Sequence, residues 1–295
     1  MAFQIFTDTS SGMAKELRDQ YKIDYFRMGL IVNEKEYPAD LDYVDFTREE
    51  MYGWVKDPNI TIKTSLVPAT EFVEKSSKYL DKGMDILYIA CADALSGTRG
   101  AFELIKEELL EKYPGRKIIS INSCRAEMAL GLLVMDAAKL RDEGKSIEEV
   151  AQWVEDNKQY YHEVGSIDTL KYLRAYGRVG GAAAFFADTF NIKPVIAFDV
   201  RGMNTSFKKV HGAKKAMEEC LAYIKENMVE GVTDVVYLGE TMPTPAKEYF
   251  KKHIEEDLHI HVEEYFIGPI VGICCGPGMY GCWFKGKLVT LGQDK

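Results

Sequence analysis

Residues 271–281 read VGICCGPGMYG, so that two adjacent thiols, Cys274 and Cys275, abut glycines at 276, 278 and 281. Four chemistries suit such a run: a metal clip, a redox pair, a dinucleotide loop, or the wall of a ligand site. A dinucleotide loop of the G-x-G-x-x-G type must follow a strand, open a helix and precede an acid about 20 positions on; too little chain follows Gly281 for that. Gly144-Lys145-Ser146 resembles the end of a phosphate loop, but Lys139 stands where the first glycine is required. Adjacent cysteines fit one tetrahedral zinc poorly, and His259 and His261 would share one strand face without a matching pair, so no metal is expected. There is no G-x-S-x-G elbow, and His162, His211 and His253 stand alone in polar context, where surface positions are expected. No catalytic residue and no cofactor are therefore assigned.

Three other segments carry hydroxyls. In DILYIACADALSGTRGAFELIKEELL an apolar strand runs out near Cys91 and a helix begins near Thr98. Ser96, Gly97 and Thr98 stand at that helix start, where free amides and the positive dipole end favour an anion, and where the same hydroxyls also suit capping. NITIKTSLVPATEFVEKSSKYL places Thr64 and Ser65 in a polar turn before a helix, and FTDTSSGM is a third hydroxyl-rich strand-to-helix turn. Such turns at the carboxyl ends of parallel strands would converge on one crevice. Small neutral donors without a base suit holding an oxyanion more than reacting with it.

The elements that must position these turns alternate in the first half: FQIFTD, GMAKELRDQY, MDILYIAC, AFELIKEELLEKY, RKIISINS, AEMALGLLVMDAAKLRDEG and SIEEVAQWVEDNKQYY. Strand and helix at this rhythm predict an N-terminal α/β domain with a parallel sheet, over residues 1–160. In the second half the strands HEVGSID, KPVIAFDVRG, VTDVVYLGE, IHVEEYFIG and GMYGCWFKG are more often joined by turns, with helices at GGAAAFFADTF, GAKKAMEECLAYIKENM and TPAKEYFKKHIEED. That predicts a C-terminal α+β domain with a largely antiparallel sheet, over residues 161–295. Net charge is −9 and the lysine pairs are scattered, which argues against nucleic acid and anionic membrane as partners. The N-terminal MAFQIFTDTSSG has no signal-peptide pattern, so the cytoplasm is the expected compartment. Phe266 to Phe284 lacks charge, but its glycines and prolines would leave backbone groups unpaired in lipid; no membrane span is expected, and the segment reads as buried strand plus turn. The six cysteines show no C-x-x-C and are expected to be small buried apolar residues.

Seven segments in order carry a resemblance. DTSSG stands for D-S-x-x-D-L, KTSLVPATEF for T-S-Q-P-S-x-x-E-F, LSGTRGAFE for L-S-G-T-Y-Q-S-A, and NSCRAEMALGLLV for D-S-x-x-x-S-x-G-x-G. IDTLKYLRAYGRVGG stands for L-x-Y-L-K-x-G-G-R-I, FNIKPVIAFDVRG for L-x-I-K-P-I, and GPIVGICCGPGMYG for the segment ending H-x-G-P-G. With these the chain resembles the DegV family, bacterial fatty-acid-binding proteins that present an acyl chain to a separate fatty acid kinase. The resemblance implies a DegV-like two-domain fold and a long-chain fatty acid of about sixteen to eighteen carbons in a tunnel between or behind the domains. It implies that Thr64 and Ser96, with Gly97 beside it, hold the carboxylate, that the protein is a carrier and not an enzyme, and that Cys274 occupies the position of the family's head-group histidine. Arg178 and His211 are implied as kinase-facing, His211 standing where the family has arginine. Tyr176 replaces the first glycine of G-G-R, Gly12-Met13 the opening Asp-Leu, and Asn122 the aspartate of the fourth segment. The acyl tail is expected along GGAAAFFADTF and PIVGICC. The alternative is a relative of dihydroxyacetone kinase substrate subunits, which hold a small carbonyl compound through a histidine.

Overall fold

The computed structural model describes residues 2–180 and 191–293. The chain divides into two units, Met1–Lys158 with Gly268–Ile270, and Gln159–Ile267 with Val271–Lys295.

In the first unit, β1 (Phe3–Asp8), β2 (Ile23–Phe26), β6 (Asp85–Ala90) and β7 (Ile118–Asn122) form an all-parallel sheet in the order β2-β1-β6-β7. Every residue of β1 and β6 is buried; β6 runs apolar from Ile86 to Ala90, whereas β1 also encloses the polar Gln4, Thr7 and Asp8. An aromatic cluster fills one part of this core: Phe6 stacks on Phe26 at 4.4 Å, and Phe26 meets Phe72 of α3 (Ala69–Leu80), Tyr88, and Phe102 of α4 (Thr98–Lys112) at 4.8, 5.1 and 5.6 Å. The helix α5 (Glu127–Asp142) is buried nearly all round, with Met128 through Met135 all enclosed. α2 (Arg48–Lys56) and α6 (Ile147–Asn157) each start with a capping box, Thr47 with Glu50 and Ser146 with Glu149.

The unit also holds a second sheet that periodicity did not reveal. β3 (Gly29–Val32), β4 (Lys35–Pro38) and β5 (Ile62–Ser65) pair antiparallel in the order β4-β3-β5. Thr64 and Ser65 therefore lie in a strand and not in a turn, Thr64 opposite Leu30 and Ser65 opposite Gly29. Four-residue strands offer too few positions for a readable alternation, and the β3–β4 turn uses Asn33 and Glu34, both at positive φ (46 and 71°), instead of an Asn-Gly pair.

The buried Glu71 fastens α3 to the β2–β3 connection. It accepts the Arg27 amide (3.1 Å), Nε (2.9 Å) and Nη2 (2.7 Å), and it lies 3.2 Å from Lys75. Burial raises its pKa, but Arg27 and Lys75 outweigh that, leaving it below the usual 4.5. A carboxyl depressed on folding stabilises above its unfolded pKa, and that stability is lost as pH falls through the folded value. Glu71→Gln is expected to cost roughly 1–3 kcal/mol near neutrality and to flatten the acid limb below about pH 5, read from urea midpoints across pH. An unaltered acid limb would show that Glu71 is not the group lost there.

In the second unit, β8 (Tyr161–Ser166), β9 (Ile192–Phe198), β10 (Asn204–His211), β11 (Val235–Glu240), β12 (His261–Phe266) and β13 (Tyr280–Lys285) form one sheet in the order β10-β9-β8-β13-β11-β12. All neighbours are antiparallel except β11 and β12. α8 (Ala213–Asn227) and α9 (Ala246–Lys251) pack Ala216, Cys220, Ile224 and Phe250 against Val164, Val236, Cys282 and Phe284 of the sheet. All six cysteines are free and buried, as expected.

Two expectations are corrected here. PIVGICC is the helix α10 (Pro269–Cys275), not a buried strand; Pro269 sits at its first position, where a missing amide costs nothing. His162 is 1% exposed rather than a surface residue: its ring stacks on Phe284 at 4.9 Å, and its nitrogens meet the Tyr223 hydroxyl (3.0 Å) and the Lys287 carbonyl (2.7 Å). An aromatic neighbour and two polar partners let an imidazole enter a core that its polar sequence neighbours do not advertise. The tail-lining stretch expected at residues 181–190 lies outside the described residues.

Candidate functional site

Neighbouring parallel strands deliver their following loops side by side, and in the first unit a buried carboxylate ties two of them together. Asp8, the last residue of β1, accepts the Tyr88 hydroxyl (2.8 Å) and the Cys91 amide (2.9 Å) on Oδ2, and the Ser10 amide (3.0 Å) and hydroxyl on Oδ1. Burial pushes its pKa up, while the Cys91 amide and the Ser10 and Tyr88 hydroxyls oppose the rise. Asn122, the last residue of β7, accepts the Asp93 amide (3.2 Å) and the Cys124 amide (3.0 Å), and the Ala92 amide reaches the Arg125 carbonyl (2.9 Å). The loops after β1, β6 and β7 thus form one hydrogen-bonded platform. Sequence reasoning quoted Asp8 and Asn122 within motifs but gave neither this role, since only the strand order puts their partners in reach.

Ser96 rises from this platform at the start of α4. Its Oγ lies 2.9 Å from Thr98 Oγ1 and accepts the Thr98 amide at 3.3 Å. The hydroxyl therefore takes part in capping, half-buried, while Gly97, at the cap position itself, is exposed and contributes no side chain to the helix amides. On β5, Thr64 is half-buried. Leu66, two residues further and 44% exposed, comes so close to Gly97 that a β-carbon there would meet its methyls at 3.8 Å. The chain just past β5 thus comes near the start of α4. Ser96 has no base among its hydrogen-bond partners. The Ser96 hydroxyl, as a neutral alcohol, can both donate and accept a hydrogen bond.

Cys274 belongs to the second unit, on the last turn of α10, and is buried. Burial pushes its thiol up to about 12, with the Arg178 charge opposing. A thiol held neutral at pH 7 is a weak nucleophile. Tyr176 is also raised to about 12, first by burial and then by Cys274, and the Arg178 guanidinium donates to the Tyr176 carbonyl. Cys274, Tyr176 and Arg178 form one neighbourhood. Gly276 follows at φ 77°, where a β-carbon would run into the Tyr172 ring, which explains a glycine after the two cysteines without any nucleotide.

Arg178 and His211 are not brought together. Val179 bridges Asn204 at the start of β10, whereas His211 ends that strand, exposed. The strand separates them by about 20 Å. Among the described residues no group of His, Cys, Asp and Glu side chains could hold a metal ion, and no helix is long and apolar enough to cross a membrane.

The DegV family model, described as that of an uncharacterised protein family, matches residues 2–286. A DegV domain-containing protein of Clostridium perfringens is 30% identical over 289 residues, 96% of this chain and 97% of the relative. A solved DegV family protein from Thermus thermophilus, described by its fatty acid binding, matches with a TM-score of 0.85 at 24% identity over 97% of this chain and 100% of its own. A stearic acid-binding protein from Eubacterium ventriosum matches with a TM-score of 0.81 at 21% identity, over 97% and 98% of the two chains. At such identities the solved structures establish the fold, an α/β unit with a parallel sheet and a unit with a largely antiparallel one. Together with the match along almost the whole sequence, this makes the chain a member of the DegV family.

Proposed function

We propose that this protein binds a long-chain fatty acid of about sixteen to eighteen carbons, its carboxylate held by Thr64 and Ser96 beside Gly97 and its tail in an apolar tunnel. It then presents the acid to a separate fatty acid kinase in the cytoplasm, as a carrier without catalytic residues of its own. The observation that carries the reading is the nearness of the chain just past β5 to the start of α4, where a β-carbon on Gly97 would lie 3.8 Å from the Leu66 side chain. Six buried free thiols fit a reducing compartment.

Magnitudes divide the labour. A tail of about fifteen methylenes contributes roughly 12 kcal/mol gross on burial. Association and ordering remove about 4–15 kcal/mol. A buried carboxylate costs several kcal/mol more unless it is hydrogen-bonded, and each bond to it returns about 1.5–3 kcal/mol. The tail sets affinity, and the hydroxyls make sequestering the charge tolerable and fix its direction.

Native mass spectrometry of protein purified from cells tests this. The expected result is a bound mass equal to a fatty acid of about sixteen to eighteen carbons, released on denaturation. Protein that is empty and takes up no palmitate after delipidation would end the reading.

Cys274 adds a graded test. A thiol donates weakly and an imidazole well, so Cys274→His is expected to tighten palmitate binding about 3- to 10-fold in titration calorimetry. An unchanged affinity would remove Cys274 from the head-group region. Arg178, close to Cys274, is the residue of this neighbourhood that would meet a kinase-borne phosphate.

A further inference from the structure

Glu127 combines three features that rarely coincide. It is fully buried, it holds a left-handed backbone (φ 49°) although it is not glycine, and it is the first residue of α5. Its carboxylate fills the space directly above Gly12, so that a β-carbon at residue 12 would overlap it. Its Oε1 also accepts the buried amide of Gly268 at 2.9 Å. A β-carbon on Gly268 would lie 3.2 Å from the same carboxylate oxygen, 3.3 Å from Leu41 and 3.5 Å from the Gly12 Cα. Two glycines thus close around one carboxylate. Gly12 ends the hydroxyl turn after β1, and Gly268 immediately precedes α10, at whose far end stands Cys274.

We infer that Glu127 is a positioning residue for the ligand site, coupled to the missing side chain at position 12: its carboxylate sets the turn after β1 and the start of α10 on a common partner. The motif segments quoted above put an acid at position 12 and a hydroxyl at position 127, whereas here position 12 is glycine and the acid stands at 127. The segments carrying positions 12 and 127 meet in space at this one carboxylate. An acid at 12 and an acid at 127 cannot both occupy that volume, and with neither the Gly268 amide is left without its acceptor. The inference rests on the fatty-acid reading for its functional consequence and on the geometry alone for the coupling.

A double-mutant cycle tests it. Gly12→Asp, Glu127→Ser and the double variant are compared with the parent in palmitate affinity and in the thermal midpoint of the ligand-free protein. Asp is among the side chains that tolerate the left-handed backbone at residue 12 (φ 62°). Each single change is expected to weaken palmitate binding about tenfold and to lower the midpoint, and the double variant to return within about threefold of the parent. Losses that simply multiply in the double variant would overturn the coupling. Should a single variant fail to fold, Glu127→Gln keeps the acceptor oxygen and the volume; it is expected to bind within about threefold of the parent, and a loss as large as that of Glu127→Ser would show that the charge and not the position matters. If the parent binds no palmitate, the fatty-acid reading fails, and the coupling is still decided by whether the double variant regains the thermal midpoint.

Discussion

Thr64→Ala with Ser96→Ala is expected to leave a folded protein that no longer retains fatty acid. In the proposed site each hydroxyl would donate one bond to the ligand carboxylate, so removing both is expected to cost about 3–6 kcal/mol, or roughly 10²–10⁴-fold in affinity. The tail contributes equally to both proteins, so the loss reads the head group alone. Ser96 also accepts the Thr98 amide, and its removal costs about 1 kcal/mol of stability at the start of α4. Thr64 has no such duty at a helix end, so Thr64→Ala by itself separates binding from capping. Palmitate titration of delipidated protein, with lipid content by mass spectrometry, measures the effect. A double variant that still carries a full complement of lipid would show that the carboxylate sits elsewhere.

Phe26→Ala is expected to be among the most destabilising single changes in the first unit. Phe26 is 0% exposed and touches Phe6, Phe72, Tyr88 and Phe102, linking β1, β2 and β6 to both α3 and α4. Truncating a buried phenylalanine costs about 3–5 kcal/mol in all, and its four aromatic neighbours place Phe26 toward the upper end of that range. Because α4 starts with Thr98, directly after the Ser96–Gly97 step, the same change is expected to loosen the proposed carboxylate site, and palmitate affinity to fall along with the urea midpoint. Phe26→Leu, which keeps most of the volume, is expected to lose less than half as much. A Phe26→Ala midpoint close to the parent's would mean that the aromatic cluster does not anchor this sheet.

The sequence by itself determined the features written in local pattern. Short apolar runs alternating with amphipathic stretches marked β1 and β6 as strands of a parallel sheet. Hydroxyls next to a helical period marked Ser96 and Gly97 at the start of α4. Ordered motif segments sufficed for the family. What it could not determine depends on residues remote in the chain. The four-residue strands β3, β4 and β5 are specified by one another more than by their own alternation, so Thr64 read as a turn residue. PIVGICC is apolar throughout, and short apolar runs do not distinguish helix from strand. The tertiary structure alone decided that Asp8 holds an amide 83 positions away and that Glu127 holds one 141 positions away. Such partners carry no periodicity and no spacing signal: a buried polar group must be satisfied, but which group satisfies it is settled only when the sheet order and helix packing bring the two together.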